Sequence, residues 1–140
     1  PIAFMQYLKR GEDFITPEGE IVANELLTVA PPPARSFAYM TDTLFRERFA
    51  DYVKGVDLLY HEATYMNADA VLAKESYHST TGQAARIAEL AGVGKLLLGH
   101  FSARYTECSE LLAEAREVFP NTFLCSDGDL FEVPAVKRRS

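Results

Sequence analysis

The chain has 140 residues and a mass of 15.6 kDa, which is enough for one domain and too little for two independent cores. Its composition, 48% hydrophobic and 24% charged, excludes a disordered or low-complexity protein. The formal charge of −6 repels phosphate backbones, so any contact with nucleic acid has to be local. No apolar run approaches a membrane span and no basic-then-apolar leader opens the sequence, so we expect a cytoplasmic protein with no membrane partner.

The first 33 residues are predicted to form a hairpin region followed by a Pro-rich linker. The apolar run from Phe4 to Leu8 and the turn formers around Gly11 and Gly19 indicate short strands or hairpins. Three consecutive prolines at 31–33 indicate an extended linker that no helix can cross.

From residue 34 to 140 the pattern predicts alternating strands and helices. Thr80 and Gln83 have the spacing of a capping box, and Gly92 is predicted to end the helix that they begin. Strands are expected at 36–41, 56–60, 95–99, 122–125 and 130–133, and helices near 44–49, 68–75, 80–91 and 106–119. This order predicts a layered α/β half-domain.

The two cysteines, Cys108 and Cys125, stand in apolar surroundings and lack the CxxC spacing of a structural metal or redox pair. We expect both to be buried thiols in a reducing compartment.

Polar residues follow the predicted strands at four places: Asp42, Glu62 after His61, His78 and His100. Because loops after parallel strands gather at one sheet edge, we expect these side chains along one edge, with Asp42 and His100 closest to each other. Imidazole and carboxylate ligands together are typical of a divalent-metal hydrolase. Taken singly, Asp42 also fits a turn or helix cap, each histidine a hydrogen-bonded core or surface residue, and Glu62 an ordinary edge carboxylate.

Four short motifs carry a more specific signal. They are Tyr39-Met40-Thr41-Asp42-Thr43, His61-Glu62-Ala63-Thr64, His78-Ser79-Thr80 and Gly99-His100-Phe101-Ser102-Ala103-Arg104-Tyr105. In this order and at these separations they resemble the C-terminal half of ribonuclease Z, the tRNA 3′-processing endonuclease of the metallo-β-lactamase superfamily. The resemblance implies the C-terminal half of an αβ/βα sandwich with a two-metal site along one edge.

The resemblance also implies roles for individual residues. Asp42 corresponds to the carboxylate that bridges two Zn²⁺ ions, with Mn²⁺ or another divalent ion as an alternative, and His100 to a ligand of the second ion. His78 corresponds to the histidine that protonates the leaving oxygen or holds the scissile phosphate, and Glu62 to the carboxylate that orients it. Contacts with the phosphate or RNA of precursor tRNA are expected from Ser79, Thr80 and Arg104.

The family's HxHxDH motif, its third upstream histidine and its projecting arm do not occur in this sequence. The resemblance therefore predicts a single partial domain that supplies half of an active site, depends on an N-terminal half carrying HxHxDH, and is inactive alone. Its strands are expected to expose a contiguous apolar face and to associate as a homodimer through it. Two alternatives remain: a non-catalytic α/β remnant that binds a partner, and a superfamily relative that hydrolyses small phosphodiesters.

Overall fold

The computed structural model of the protein describes residues 4–29 and 31–133. These residues divide into two compact units, the first ending at Pro33 and the second beginning at Ala34.

The first unit contains two short helices and a hairpin. Helix α1 (Met5–Leu8) precedes strands β1 (Phe14–Ile15) and β2 (Ile21–Val22), which pair antiparallel, and helix α2 (Asn24–Leu27) follows. The hairpin is confirmed, but the strand expected from Phe4 to Leu8 is wrong. The run has no partner strand in the described unit and forms a helical turn, which is held at its end by the Asn24 amide donating to the carbonyls of Leu8 and Glu12 at 2.8 and 2.9 Å.

The second unit is built on a four-stranded parallel sheet. Its strands are β3 (Phe37–Met40), β4 (Leu58–Glu62), β5 (Leu96–Gly99) and β6 (Thr122–Leu124), and they lie side by side in chain order. The register pairs Ala38 with Leu59, Leu59 with Leu96 and Leu96 with Thr122. The predicted α/β class is therefore confirmed.

Helices connect the parallel strands. A 3-10 helix (Glu47–Val53) joins β3 to β4, in place of the helix expected at 44–49. A short 3-10 turn (Asn67–Asp69), helix α3 (Ala70–Glu75) and helix α4 (Thr81–Ala91) join β4 to β5, and helix α5 (Ser109–Val118) joins β5 to β6. The Thr80–Gln83 capping box forms as predicted, and Gly92 ends α4 in the left-handed conformation with φ of 61°.

The core lies between one face of the sheet and helix α4. Leu59, Leu96 and Leu98 pack there against the alanines of α4 and Ile87, all of them fully buried. Alanine on this helix face adds little side-chain volume, which allows the helix to pack closely on the sheet.

The opposite face of the sheet is less covered. Phe37 and Tyr39 on the edge strand β3 are 55% and 61% exposed, and Tyr39 stacks on Tyr60 with ring centroids 4.6 Å apart. Leu58 and Leu97 are only 3% and 4% exposed. The expected contiguous apolar face is therefore wrong at Leu58 and Leu97. These leucines lie on the central strands β4 and β5, and each of these strands has a neighbouring strand on both sides.

The strand expected at 130–133 does not form. Residues 126–129 make a turn in which the Asp129 amide donates to the Ser126 carbonyl at 3.0 Å, but the next residues pair with no strand of the described sheet. Leu130 is 98% exposed, so the apolar run has neither a backbone partner nor a core to enter. The cysteines are free as expected, but both are half-buried rather than buried. Among the described residues, no helix combines the length and apolar character that crossing a membrane requires.

Candidate active site

The candidate site lies where the parallel strands end. Asp42 follows β3, Glu62 is the last residue of β4, and His100 follows β5 directly. His78 is in the loop between α3 and α4, which returns to the same edge through a bridge between Tyr65 and Thr80. The topology thus brings together four residues that are widely separated in sequence.

Three of these residues present metal-ligand atoms to one point. One ligand atom each from Asp42, His78 and His100 lies within 4.8 Å of the others. His100 Nε2 is 3.5 Å from Asp42 Oδ1, and the rings of His78 and His100 have centroids 5.2 Å apart. Glu62 and His78 are closer still, at 2.9 Å, so the expectation that Asp42 and His100 form the closest pair is wrong.

Glu62 is the fully buried centre of the site. Its Oε1 accepts hydrogen bonds from the Thr43 amide at 2.8 Å and from His78 Nδ1 at 2.9 Å, and its Oε2 accepts from the Thr64 hydroxyl at 2.5 Å. Burial raises the pKa of Glu62, but these hydrogen bonds outweigh burial and hold the pKa below its usual value. The carboxylate is therefore ionised at neutral pH and directs the free nitrogen of His78 away from itself.

Thr64 is a site residue that sequence reasoning did not assign. Besides donating to Glu62, its hydroxyl lies 2.8 Å from His100 Nδ1. The motif His61-Glu62-Ala63-Thr64 contained it, but spacing alone does not reveal which member of a motif contacts a residue 36 positions later. His61 of the same motif lies elsewhere: it is buried, and its Nδ1 is 2.6 Å from the Glu62 carbonyl.

Backbone strain concentrates at this edge. Among the described residues, the non-glycine residues with positive φ are Asp42 (48°), Tyr77 (61°) and His100 (60°). Each costs roughly 1–2 kcal/mol, because Cβ then approaches the following carbonyl. Two are proposed ligands and the third precedes His78, which is the distribution expected where function constrains the backbone.

A second network holds the loop after β5 against the segment after β4. Arg104 Nη1 lies 3.2 Å from Asp69 Oδ1, and the Arg104 guanidinium is 5.3 Å from the centroid of the Tyr65 ring. The centroids of the Tyr65 and His78 rings are 6.3 Å apart. The Tyr105 hydroxyl donates to Asp69 and accepts from the Met66 amide at 3.0 Å. Arg104 is thereby held against Asp69 and the Tyr65 ring, with 43% of its side chain exposed.

Ser79 and Thr80, which the sequence suggested as substrate contacts, are fully buried. The Ser79 hydroxyl donates to the Thr43 carbonyl at 2.6 Å, and the Thr80 hydroxyl donates to the Asn67 side chain at 2.7 Å while capping α4. Both hydroxyls are engaged inside the protein.

The donor set fits a divalent metal ion. Two imidazole nitrogens and a carboxylate oxygen are ligands that Zn²⁺ accepts, and each imidazole has its Nδ1 engaged by a neighbouring oxygen. The free Nε2 of His100 faces the carboxylate of Asp42 across 3.5 Å, so two groups that bind cations share one point.

Comparison with known families identifies the domain. Residues 26–101 match the model of the beta-lactamase superfamily domain, and this covers more than half of the chain. The chain belongs to this family. The metallo-beta-lactamase fold protein YhfI from Bacillus subtilis superposes on 69% of this chain and 39% of its own, with a TM-score of 0.64 and 26% sequence identity.

Curated relatives agree with the motif resemblance. The chain is 50% identical over 127 residues to "Ribonuclease Z" of Bacteroides fragilis strain YCH46, covering 91% of this chain and 42% of the relative. It is 41% identical over 137 residues to "Ribonuclease Z" of Phocaeicola vulgatus, covering 98% of this chain and 44% of the relative. The resemblance predicted from the four motifs is confirmed. The chain spans less than half the length of these relatives.

Proposed function

We propose that the chain supplies the C-terminal half of the active site of a metal-dependent endoribonuclease that removes the 3′ trailer from precursor tRNA. The observation that carries this proposal is the convergence of Asp42, His78 and His100 at the end of the parallel sheet. It is supported by the 50% identity to a relative named Ribonuclease Z.

Asp42 and His100 are proposed as metal ligands, with Asp42 in the bridging position of a two-zinc site in the complete enzyme. A bound divalent ion would supply a water of lowered pKa and stabilise charge on the phosphoryl oxygens. Asp42 and His100 provide too few protein ligands for two such ions, since zinc takes three or four protein ligands each. The 140 residues alone should therefore be inactive.

His78 is proposed as the acid that protonates the leaving 3′ oxygen. Its Nδ1 donates to the buried Glu62 carboxylate, so the ring is held in one orientation and Nε2 is left to give the proton. Arg104, which lies over the ring of Tyr65, the neighbour of His78, is the proposed contact for the RNA backbone. The buried Ser79 and Thr80 keep the loop in place, and we restrict the proposed substrate contacts to Arg104.

The test is cleavage of precursor tRNA by the protein that the complete gene encodes, in buffer with Zn²⁺ or Mn²⁺. Asp42→Ala should lose bound metal and activity together. His78→Ala should keep its metal while turnover falls about 10²-fold to 10⁴-fold, the usual contribution of a general acid.

Asp51→Ala is the matched control for Asp42→Ala, because Asp51 is an exposed aspartate on the 3-10 helix. Equal loss of zinc in the Asp42→Ala and His78→Ala variants would make His78 a ligand instead of an acid. Hydrolysis of bis(p-nitrophenyl) phosphate without cleavage of precursor tRNA would favour a small-phosphodiester hydrolase.

A further inference from the structure

Thr64 sits between the two sides of the candidate site. It is 6% exposed and lies two residues after Glu62, the last residue of β4. Its hydroxyl makes two short contacts, 2.5 Å to Glu62 Oε2 and 2.8 Å to His100 Nδ1. Glu62 uses its other oxygen, Oε1, for His78. One buried carboxylate is therefore connected to both imidazoles, directly to one and through Thr64 to the other.

The count of protons decides the direction of each hydrogen bond. An ionised carboxylate only accepts, whereas a threonine hydroxyl has one proton to donate and lone pairs to accept with. The single proton of Thr64 goes to Glu62, where the contact is shortest. The contact with His100 then needs a proton from the imidazole, so His100 carries hydrogen on Nδ1 and donates it to Thr64.

This assignment determines which nitrogen of His100 meets a metal ion. With the proton on Nδ1, the neutral imidazole has its lone pair on Nε2, the atom that lies 3.5 Å from Asp42 Oδ1. Two lone pairs then face the same point, as a shared cation requires. Partners of this kind around a metal-ligating histidine fix its tautomer and ring orientation.

We propose that Thr64 is a positioning residue that holds His100 in the Nδ1–H tautomer and so presents Nε2 as a ligand. The inference rests on the proposed function only in one respect, which is that the ion bound by Nε2 is Zn²⁺. The tautomer itself depends on hydrogen bonds within this chain and needs neither RNA nor turnover.

The first measurement needs no substitution. Nitrogen-15 NMR of histidine-labelled, metal-free protein from the complete gene should show His100 and His78 both protonated on Nδ1 near pH 8. A wild-type spectrum with His100 protonated on Nε2 would overturn the proposal.

The second measurement compares Thr64→Val, which keeps the shape and loses the hydroxyl, with Thr64→Ser, which keeps the hydroxyl. Thr64→Val should abolish the Nδ1–H preference of His100 and weaken Zn²⁺ binding about 10-fold to 100-fold in a chelator competition. Thr64→Ser should retain both, and His78 should keep its tautomer in every variant because it bonds Glu62 directly.

Thr122→Val is the matched control. Thr122 is also fully buried and also donates its hydroxyl inside the protein, to the Phe119 carbonyl, but it belongs to β6. It should lose stability while the His100 tautomer and the Zn²⁺ affinity stay at wild-type values. If Thr64→Val weakened Zn²⁺ binding no more than Thr122→Val, Thr64 would be an ordinary core hydroxyl. If Thr64 behaved as proposed and precursor tRNA remained uncleaved, the proposed function would fail and this inference would stand.

Discussion

Two adjacent residues at the end of β4 have opposite electrostatic environments. The side chain of Glu62 is buried and receives three hydrogen bonds, so it is stable as an anion. His61 is 1% exposed, and burial lowers its pKa although the Glu62 carbonyl and charge act in the opposite direction. Successive side chains of a strand point to opposite faces of the sheet, so the charged Glu62 faces the site and the neutral His61 faces the core.

His61 should make the fold sensitive to mild acid. In the unfolded chain a histidine binds a proton near pH 6.5, whereas buried His61 resists protonation until a lower pH. The unfolded state then binds more protons, so the free energy of unfolding should fall as pH drops below about 6.5. His61→Leu should reduce this fall between pH 7 and pH 5 in urea titrations. Identical pH slopes in both proteins would mean that His61 does not contribute.

At the scale of elements, the loop before α4 depends on a close contact with that helix. Gly82 in the first turn of α4 lies against Asn67, and a Cβ at Gly82 would come within 2.5 Å of the Asn67 amide nitrogen. The Asn67 side-chain oxygen in turn accepts a hydrogen bond from the hydroxyl of Thr80, the residue that caps α4. Glycine at this position therefore lets the segment after β4 approach the helix that follows His78.

Gly82→Ala should destabilise the protein by about 1–3 kcal/mol, the usual cost of overpacking, despite alanine's higher helix propensity. In an Asn67→Ala background the same change should cost less than about 1 kcal/mol, because the clashing side chain is gone. Chemical denaturation of the four proteins of this double-mutant cycle measures the coupling. Additive costs would show that the two residues do not press on each other.

The elements also show which sequence signals were sufficient. Helix α4 was predicted with both ends, because Thr80, Gln83 and Gly92 act within a few residues of themselves. The run at Phe4–Leu8 and the run at 130–133 were both predicted as strands and neither is one. An apolar run becomes a strand only where a neighbouring strand accepts its backbone hydrogen bonds, and neither run has such a neighbour among the described residues.

At the scale of the whole molecule, the apolar edge of the sheet should govern association. Phe37 and Tyr39 lie on β3, and more than half of each residue's surface is exposed. The ring of Tyr39 also stacks on that of Tyr60, which makes a small aromatic cluster. Water-exposed aromatic clusters of this kind favour contact with another apolar surface. The homodimer predicted from the sequence stays a prediction. If it forms, we expect strand β3 with Phe37 and Tyr39 to lie in the interface.

The 140-residue chain should self-associate in light scattering coupled to size-exclusion chromatography. The double variant Phe37→Lys with Tyr39→Lys should shift the population toward monomer by at least several-fold. Val71→Lys, on α3 and 73% exposed, provides a surface control that should leave association unchanged. A monodisperse wild-type monomer at high micromolar concentration would contradict this prediction.

The sequence by itself determined the order of strands and helices and the short motifs at the strand ends. Those features depend on the periodicity of apolar residues, on helix caps and on turn residues, all of which act over a few positions. From them followed the α/β class, the membership in a known family and the proximity of Asp42, His78 and His100.

Only the tertiary structure decided how those side chains are connected. Thr64 reaches His100 across 36 positions, and Thr43 reaches Glu62 across 19, so no local pattern records either bond. The left-handed backbone at Asp42 and His100 is likewise unfavourable for each residue alone and is maintained by surrounding contacts. Hydrogen-bond direction, strain and burial are properties of the assembled sheet edge, because each depends on atoms that come together only when the strands are in register.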